Sequence, residues 1–518
     1  MKNLKIILYI AIFALLTSCD SLDEPSYGKT TTENFYKKES DINYALTGTY
    51  LQLRKTWEEY ARDHFALGDA TTDDAWKGGG SEGDWGQYLE LEIFVINSTN
   101  GASQRYWQIA YNTINNANNV IYYAPNATGD QQILSRYVKE AKALRGFAYY
   151  CLVTKFGGVP LLTEPKLPAE VLTMSRATAE EIYAQVIKDF EDASTLPSRK
   201  EYASADAYRM TRGFAKTMLA KTYLFRNDFA KAELVLKEIV ETDNDYALLD
   251  DYGKNWRKEY ENSTESVWEI PNKMYDKNVA TGTNVPHFFT SRAGVPGYGG
   301  YGFHCPTQNL WDAYDPDDPR LTYIFTNTGD KYTGDTKAQD NSIAPDRFHD
   351  YKMTVPSADK IGFNVWLIPY NIRLIRYADV LLMYAEALNE NGKSADALNY
   401  LNQIRARARN TNPRDPRRDV QIYIPPTSAN TLPNITVMDK TQLRNLIWKE
   451  RRLELAMEGW RRDDLLRQKR FGEVMRVFSV KYNSNKGKYF DDAKHYLLPI
   501  PQNDIDRTNG ALIQNPGY

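Results

Sequence analysis

Two stretches of this chain repeat one another at a fixed distance. Ala220, Ala232, Leu236 and Ile239 recur as Ala385, Ala397, Leu401 and Ile404, each 165 residues further on. Small residues at these spacings let two antiparallel helices approach closely, and the apolar positions that follow bury their shared face. Each stretch therefore reads as a helix pair. The first covers 208–240 and turns near Asn227-Asp228; the second covers 376–409 and turns at Asn391-Gly392.

This pattern resembles the tetratricopeptide repeat, which needs about three stacked units to bury a continuous core. More helices are therefore expected. Residues 141–156 carry apolar residues at helical spacing and stop at Gly157-Gly158-Val159-Pro160; residues 179–196 are amphipathic and end at Pro197. They read as a further unit split by an insertion. Residues 441–470 read as one last helix that closes the stack. The predicted fold is mainly α, with helices at about 105–156, 179–240, 376–409 and 441–470, and few short strands.

Between the helices lie two long loop-rich segments, at about 60–101 and 246–365. Loops of this length in a folded chain are usually functional. They hold five of the 10 Trp and twelve of the 37 Tyr, in a chain where Tyr outnumbers Phe by 37 to 19. Tyr is the ring that tolerates a wet surface. A glycan offers hydroxyls at its ring edge and apolar C–H faces. A protein holds it by stacking Trp or Tyr under a face and by fixing hydroxyls with polar side chains. Glycines give the sugar room to approach. Two strings have that composition. DDAWKGGGSEGDWGQY supplies Asp73, Trp76 and Trp85; HFFTSRAGVPGYGGYGFHCPTQNLW supplies Arg292, Tyr298 and Tyr301. These six are the candidate ligand contacts.

Other chemistries find little support. The charge balance of 64 Lys+Arg against 67 Asp+Glu argues against nucleic acid. There is no HExxH, GxSxG or P-loop, and the five His are scattered without ligand spacing. No enzyme activity and no cofactor are expected. The Asp residues at 69, 73 and 74, and at 315, 317 and 318, could offer oxygen ligands to a structural Ca²⁺, but they lack EF-hand spacing and read as turns. The charged string KERRLELAMEGWRRDD reads as a packed helix with Arg–acid pairs along its edges. Three cysteines cannot form a disulfide scaffold, and the state of Cys151 and Cys305 is not legible.

Lys2 and Lys5 precede eleven apolar residues, Ile6 to Leu16, and Leu16-Thr17-Ser18-Cys19 follows at once. The run is too short to span a bilayer and suits a secretory signal. The tetrapeptide resembles a bacterial lipobox. Residues 1–18 then form the signal, Cys19 carries the lipid, and 19–518 make one domain on a polar tether.

Residues 373–390 (RLIRYADVLLMYAEALNE), 446–467 (LIWKERRLELAMEGWRRDDLLR) and 496–518 (YLLPIPQNDIDRTNGALIQNPGY) closely resemble the SusD/RagB family of outer-membrane nutrient-binding lipoproteins of Bacteroidetes. DDAWKGG, YWQIAYNTINNANNVI and AKALRGFAYYCLVTKFGGVPLL extend the likeness over the N-terminal half. The resemblance implies a SusD-like fold with a tetratricopeptide-like scaffold. It implies a lipid-anchored place at the outer membrane, facing the cell surface. It also implies a TonB-dependent transporter of the SusC type as partner, with the lipoprotein as its lid. The ligand class stays open between glycan, which the Trp/Tyr loops favour, and oligopeptide, as in the RagB branch.

Overall fold

The computed structural model describes residues 34–54, 60–272, 288–289, 300–333, 335, 337–338, 342–356, 368–428, 430–508 and 510–518. Among the described residues, ten longer helices carry the architecture. They are α1 (Glu39–Gln52), α2 (Gly101–Tyr123), α3 (Gln131–Phe156), α4 (Ala179–Ala193), α5 (Arg212–Phe225), α6 (Phe229–Lys237), α7 (Tyr377–Glu390), α8 (Ser394–Arg409), α9 (Lys440–Glu454) and α10 (Phe471–Lys481). Their starts are set by local chemistry. The side chains of Asn100, Asp130, Thr178, Thr211, Asp228 and Asp439 each accept a backbone N–H in the first turn of the helix that follows.

Consecutive helices pack side by side from α1 to α7, and α7 then packs on both α8 and α9. The two related pairs, α5–α6 and α7–α8, meet directly through α6 and α7. All eight repeated positions are buried in this stack. The turn of the first pair places Asn227 at φ 60°, and that of the second places Gly392 at φ 81°. Both conformations suit the residue types present. The first pair starts later than the sequence suggests, because Thr211 caps the helix and residues 208–211 stay outside it.

Among the described residues, eight short strands form four two-stranded antiparallel sheets. They are β1 (Ala75–Gly78), β2 (Ser266–Ile270), β3 (Phe303–Pro306), β4 (Phe325–Asn327), β5 (Lys331–Tyr332), β6 (Phe348–Asp350), β7 (Ile372–Arg376) and β8 (Arg418–Val420). The pairings are β1–β3, β2–β7, β4–β6 and β5–β8. The β1–β3 ladder sets Trp76 opposite Cys305 and Gly78 opposite Phe303. It joins the two loop-rich segments, which lie far apart in sequence.

The expected helix over 441–470 is two helices. The chain leaves helical geometry after Leu455, with Met457 at φ 62° and Gly459 at φ 81°, and resumes a helix at Arg461–Arg467. Most ion pairs of this charged string are buried rather than along its edges, Lys449–Asp315 being the exposed exception. Glu454 accepts from Arg376 (3.0 Å) and Arg407 and pairs with Arg320 (3.2 Å); Glu458 meets Arg376 (2.7 Å) and Lys352 (2.6 Å). Arg451 lies between Asp379 and Asp464. A buried charge persists only when opposite charges and hydrogen bonds replace its water, which explains why these groups come as a network.

Candidate ligand-binding site

The site grows from the β1–β3 ladder. Gly78 and Gly79 take φ of 72° and 82°, and a Cβ on Gly79 would collide with the Phe303 ring. The Gly79 N–H donates to the Gly302 carbonyl (2.7 Å). The loop that follows closes on Lys77, whose ammonium donates to the carbonyls of Ser81 (2.8 Å), Glu82 (3.2 Å) and Asp84 (2.6 Å). Lys77 is therefore a brace under the glycine loop. The chain then delivers Trp85 at φ 51° to the start of a short helix, Gly86–Glu92.

Trp85 is half-buried and gripped from several sides. Tyr88 stacks on it at 5.4 Å, and Phe288 meets it edge-on at 4.8 Å. The Arg62 and Arg105 guanidinium carbons lie 4.4 and 5.2 Å from its centroid. Arg105 is fixed by a bidentate bond to Asp63 (2.8 and 3.0 Å), which also accepts the Tyr88 hydroxyl (2.8 Å). Phe288 is buried, stacks on Phe303 at 4.9 Å, and meets Tyr301 edge-on at 5.6 Å. Trp85 and the half-buried Tyr301 thus flank one buried ring. Two partly exposed rings on a rigid aromatic bed can receive apolar faces at little cost in ordering. Asp84 and Gln87, both half-buried, sit beside Trp85 in sequence.

The other expected contacts fare differently. Trp76 is buried on the far side of the ladder. Its indole N–H donates to Asp346 (2.5 Å), and its ring meets Phe478 edge-on at 5.4 Å. Asp73 is buried between Arg461 (3.0 Å) and Arg452 (2.9 Å). Burial alone would push its carboxyl up; the two guanidiniums outweigh that and hold it at about 2. Both residues serve the interior rather than a ligand, because their polar atoms are already used and their surfaces are covered. Arg292, Tyr298 and Cys19 lie outside the described residues. Sequence reasoning missed Phe288, Arg62 and Arg105; only the Phe288-Phe289 pair within HFFTSR offered a signal.

Of the Asp residues considered for Ca²⁺, Asp69, Asp73, Asp74 and Asp318 are committed elsewhere. Asp74 accepts from Arg452 (2.7 Å), Asp318 holds Arg320, and Asp69 accepts the Gly459 N–H (2.7 Å). Among the described residues no group of three or more His, Cys, Asp or Glu is arranged to hold a metal. Cys151 and Cys305 are free and buried.

Behind the site, His304 sits at φ 57° and bonds Asp350 through Nδ1 (2.8 Å) and Asp69 through Nε2 (3.2 Å). Burial disfavours its charge, but the two carboxylates outweigh burial and raise it to about 9. A raised histidine stabilises the fold fully below its unfolded value near 6.5, and that contribution disappears as pH rises through about 9. Thermal midpoints measured from pH 6 to 9.5 are expected to fall over this window. The same fall in a His304→Gln chain would show that another group causes it.

A model of the SusD family matches residues 264–518, and a model described as "Starch-binding associating with outer membrane" matches residues 20–224. The chain belongs to the SusD family. SusD-like protein P2 of Formosa agariphila is 26% identical over the full length of both chains. SusD-like protein P38 of the same organism is 28% identical, over 92% of this chain and 93% of its own. Among solved structures, a laminarin-binding SusD-like protein superposes with a TM-score of 0.75 at 26% identity, covering 93% of this chain and 100% of the other. A SusD homologue from Bacteroides thetaiotaomicron reaches a TM-score of 0.78 at 23% identity, covering 95% and 99%, and shares the fold. The mainly helical SusD architecture with few short strands is therefore that of this chain.

Proposed function

We propose that this SusD-family chain captures oligosaccharide or polysaccharide at the outer membrane without changing it, and passes it to a SusC-type TonB-dependent transporter. The observation that carries this reading is the pairing of Trp85 and Tyr301 on Phe288. Two relatives add support: one solved structure is of a laminarin-binding protein, and one matching family is described as starch-binding and associated with the outer membrane. Sugar C–H faces lie on the two rings, and hydroxyls bond to polar groups around them. Capture makes and breaks no covalent bond. Cys19 carries the lipid, which keeps the chain at high effective concentration near its transporter. A Cys19→Ala chain is expected to leave the membrane fraction; retention there would contradict the anchor.

Native electrophoresis through gels containing laminarin, starch and other polysaccharides tests the ligand class. Retardation by at least one glycan is expected. Removing the Trp85 ring loses apolar contact and stacking of about 1.5–3 kcal/mol, or about tenfold to a hundredfold in affinity. Trp85→Ala and Tyr301→Ala chains with unchanged thermal midpoints should run nearly unretarded. No retardation of the parent chain in any gel, with binding to a peptide library instead, would replace the glycan reading by oligopeptide capture.

A further inference from the structure

A recess lies away from Trp85, on the helical scaffold. It is a cleft of about 440 Å³ between α2, the segment around residues 160–174 and the C-terminal stretch around residues 504–512. That volume is within the range of small-molecule sites. Along α2, Gln108, Asn112 and Asn115 are exposed and line it. Their i, i+4, i+7 spacing places all three carboxamides on one face, over about 10 Å of helix. Leu162, Met174 and Leu512 supply apolar wall.

Asp504 also lines the cleft. Burial pushes this carboxyl up, and Arg507 opposes the shift. The cleft therefore calls for a ligand with both donors and acceptors for neutral carboxamides, and with apolar faces for the wall. One acid and one guanidinium select for no strong net charge.

We propose that this cleft is a second carbohydrate site that holds a short segment of an oligosaccharide, a proposal that rests on the glycan-binding reading above. A sugar ring meets each requirement at once: hydroxyls donate and accept, and C–H faces pack on leucine and methionine. An extended peptide offers N–H donors as well, but its side chains would need matching pockets or charges that the lining does not present.

Titration calorimetry of the full chain in detergent tests it, with laminarihexaose first and then the other oligosaccharides of the gel panel. The expected result is two sites per chain for an oligosaccharide that binds. Trp85→Ala/Tyr301→Ala should leave one of them. Adding Asn112→Ala/Asn115→Ala should weaken that remaining site by about tenfold or more. Both positions are exposed on a helix and alanine favours helix, so the fold should persist; Asp504→Asn provides an independent variant. A single site in the parent chain overturns the proposal, as does a remaining site indifferent to these changes. Loss of peptide-library binding in the Asn112→Ala/Asn115→Ala chain would assign the cleft to peptide and also overturn it. If no oligosaccharide binds the parent chain at all, the glycan reading itself fails, an outcome distinct from the loss of one site of two.

Discussion

An Arg376→Leu chain is expected to lose about 3–5 kcal/mol of stability, the cost of leaving buried charges without their partner. Arg376 ends β7 and enters the core at the start of α7. There it donates to Glu265 (2.6 Å), Glu454 (3.0 Å) and Glu458 (2.7 Å). Leucine would fill much of the volume yet take one partner from each of three buried carboxylates, leaving Glu265 and Glu454 to Arg407 and Glu458 to Lys352. The pH dependence identifies the cause. Burial would raise Glu454, but Arg407, Arg376 and Arg320 outweigh it and depress it to about 2. A depressed carboxyl stabilises the fold fully above its unfolded value near 4.3, and the contribution is lost as pH falls toward about 2. The gap between parent and variant, read from urea unfolding, should therefore narrow as pH falls through that window. A gap independent of pH would point to lost packing instead.

Gly68→Ala is expected to cost about 3 kcal/mol, at the upper end for an added methyl group in a packed interior. A Cβ on Gly68 would overlap the carbonyl group of Gly459. That backbone has little freedom to yield. Gly459 holds φ at 81°, its N–H is bonded to Asp69 (2.7 Å), and its own open side faces the His64 ring. The contact presses the segment that leads to Trp85 against the turn between α9 and the helix Arg461–Arg467. Gly48→Ala is the control. It lies within α1 with nothing near its missing Cβ, and should stabilise by about 0.5–1 kcal/mol. Chemical denaturation of the two chains should give opposite signs. Equal small effects would mean that the Gly68–Gly459 approach is not tight.

The helical scaffold was legible because its determinants are local. The alanines of α5–α6 and α7–α8 are needed by the hairpins that contain them, so their spacing survives in the sequence. The break after Leu455 was missed because leucine, alanine and methionine read as helix; the turn depends on Asp69 and Arg376, far away in the chain. The site was legible in composition but not in orientation. Trp76 and Trp85 share one glycine-rich string, yet the β1–β3 ladder turns the first inward and carries the second to the edge. Asp73 looked like a loop carboxylate because its partners, Arg452 and Arg461, lie in the C-terminal half. Phe288, the ring that unites Trp85 and Tyr301, carries no local mark of that role.

The most direct test of the binding site is a crystal structure of the chain with an oligosaccharide that its gels retain. One sugar ring is expected against Trp85 and a neighbouring part of the same chain of sugars beside Tyr301, with the bed of Phe288, Tyr88 and Arg105 unmoved. Oligosaccharide bound only elsewhere, with both rings bare, would contradict the site on which the proposed function rests.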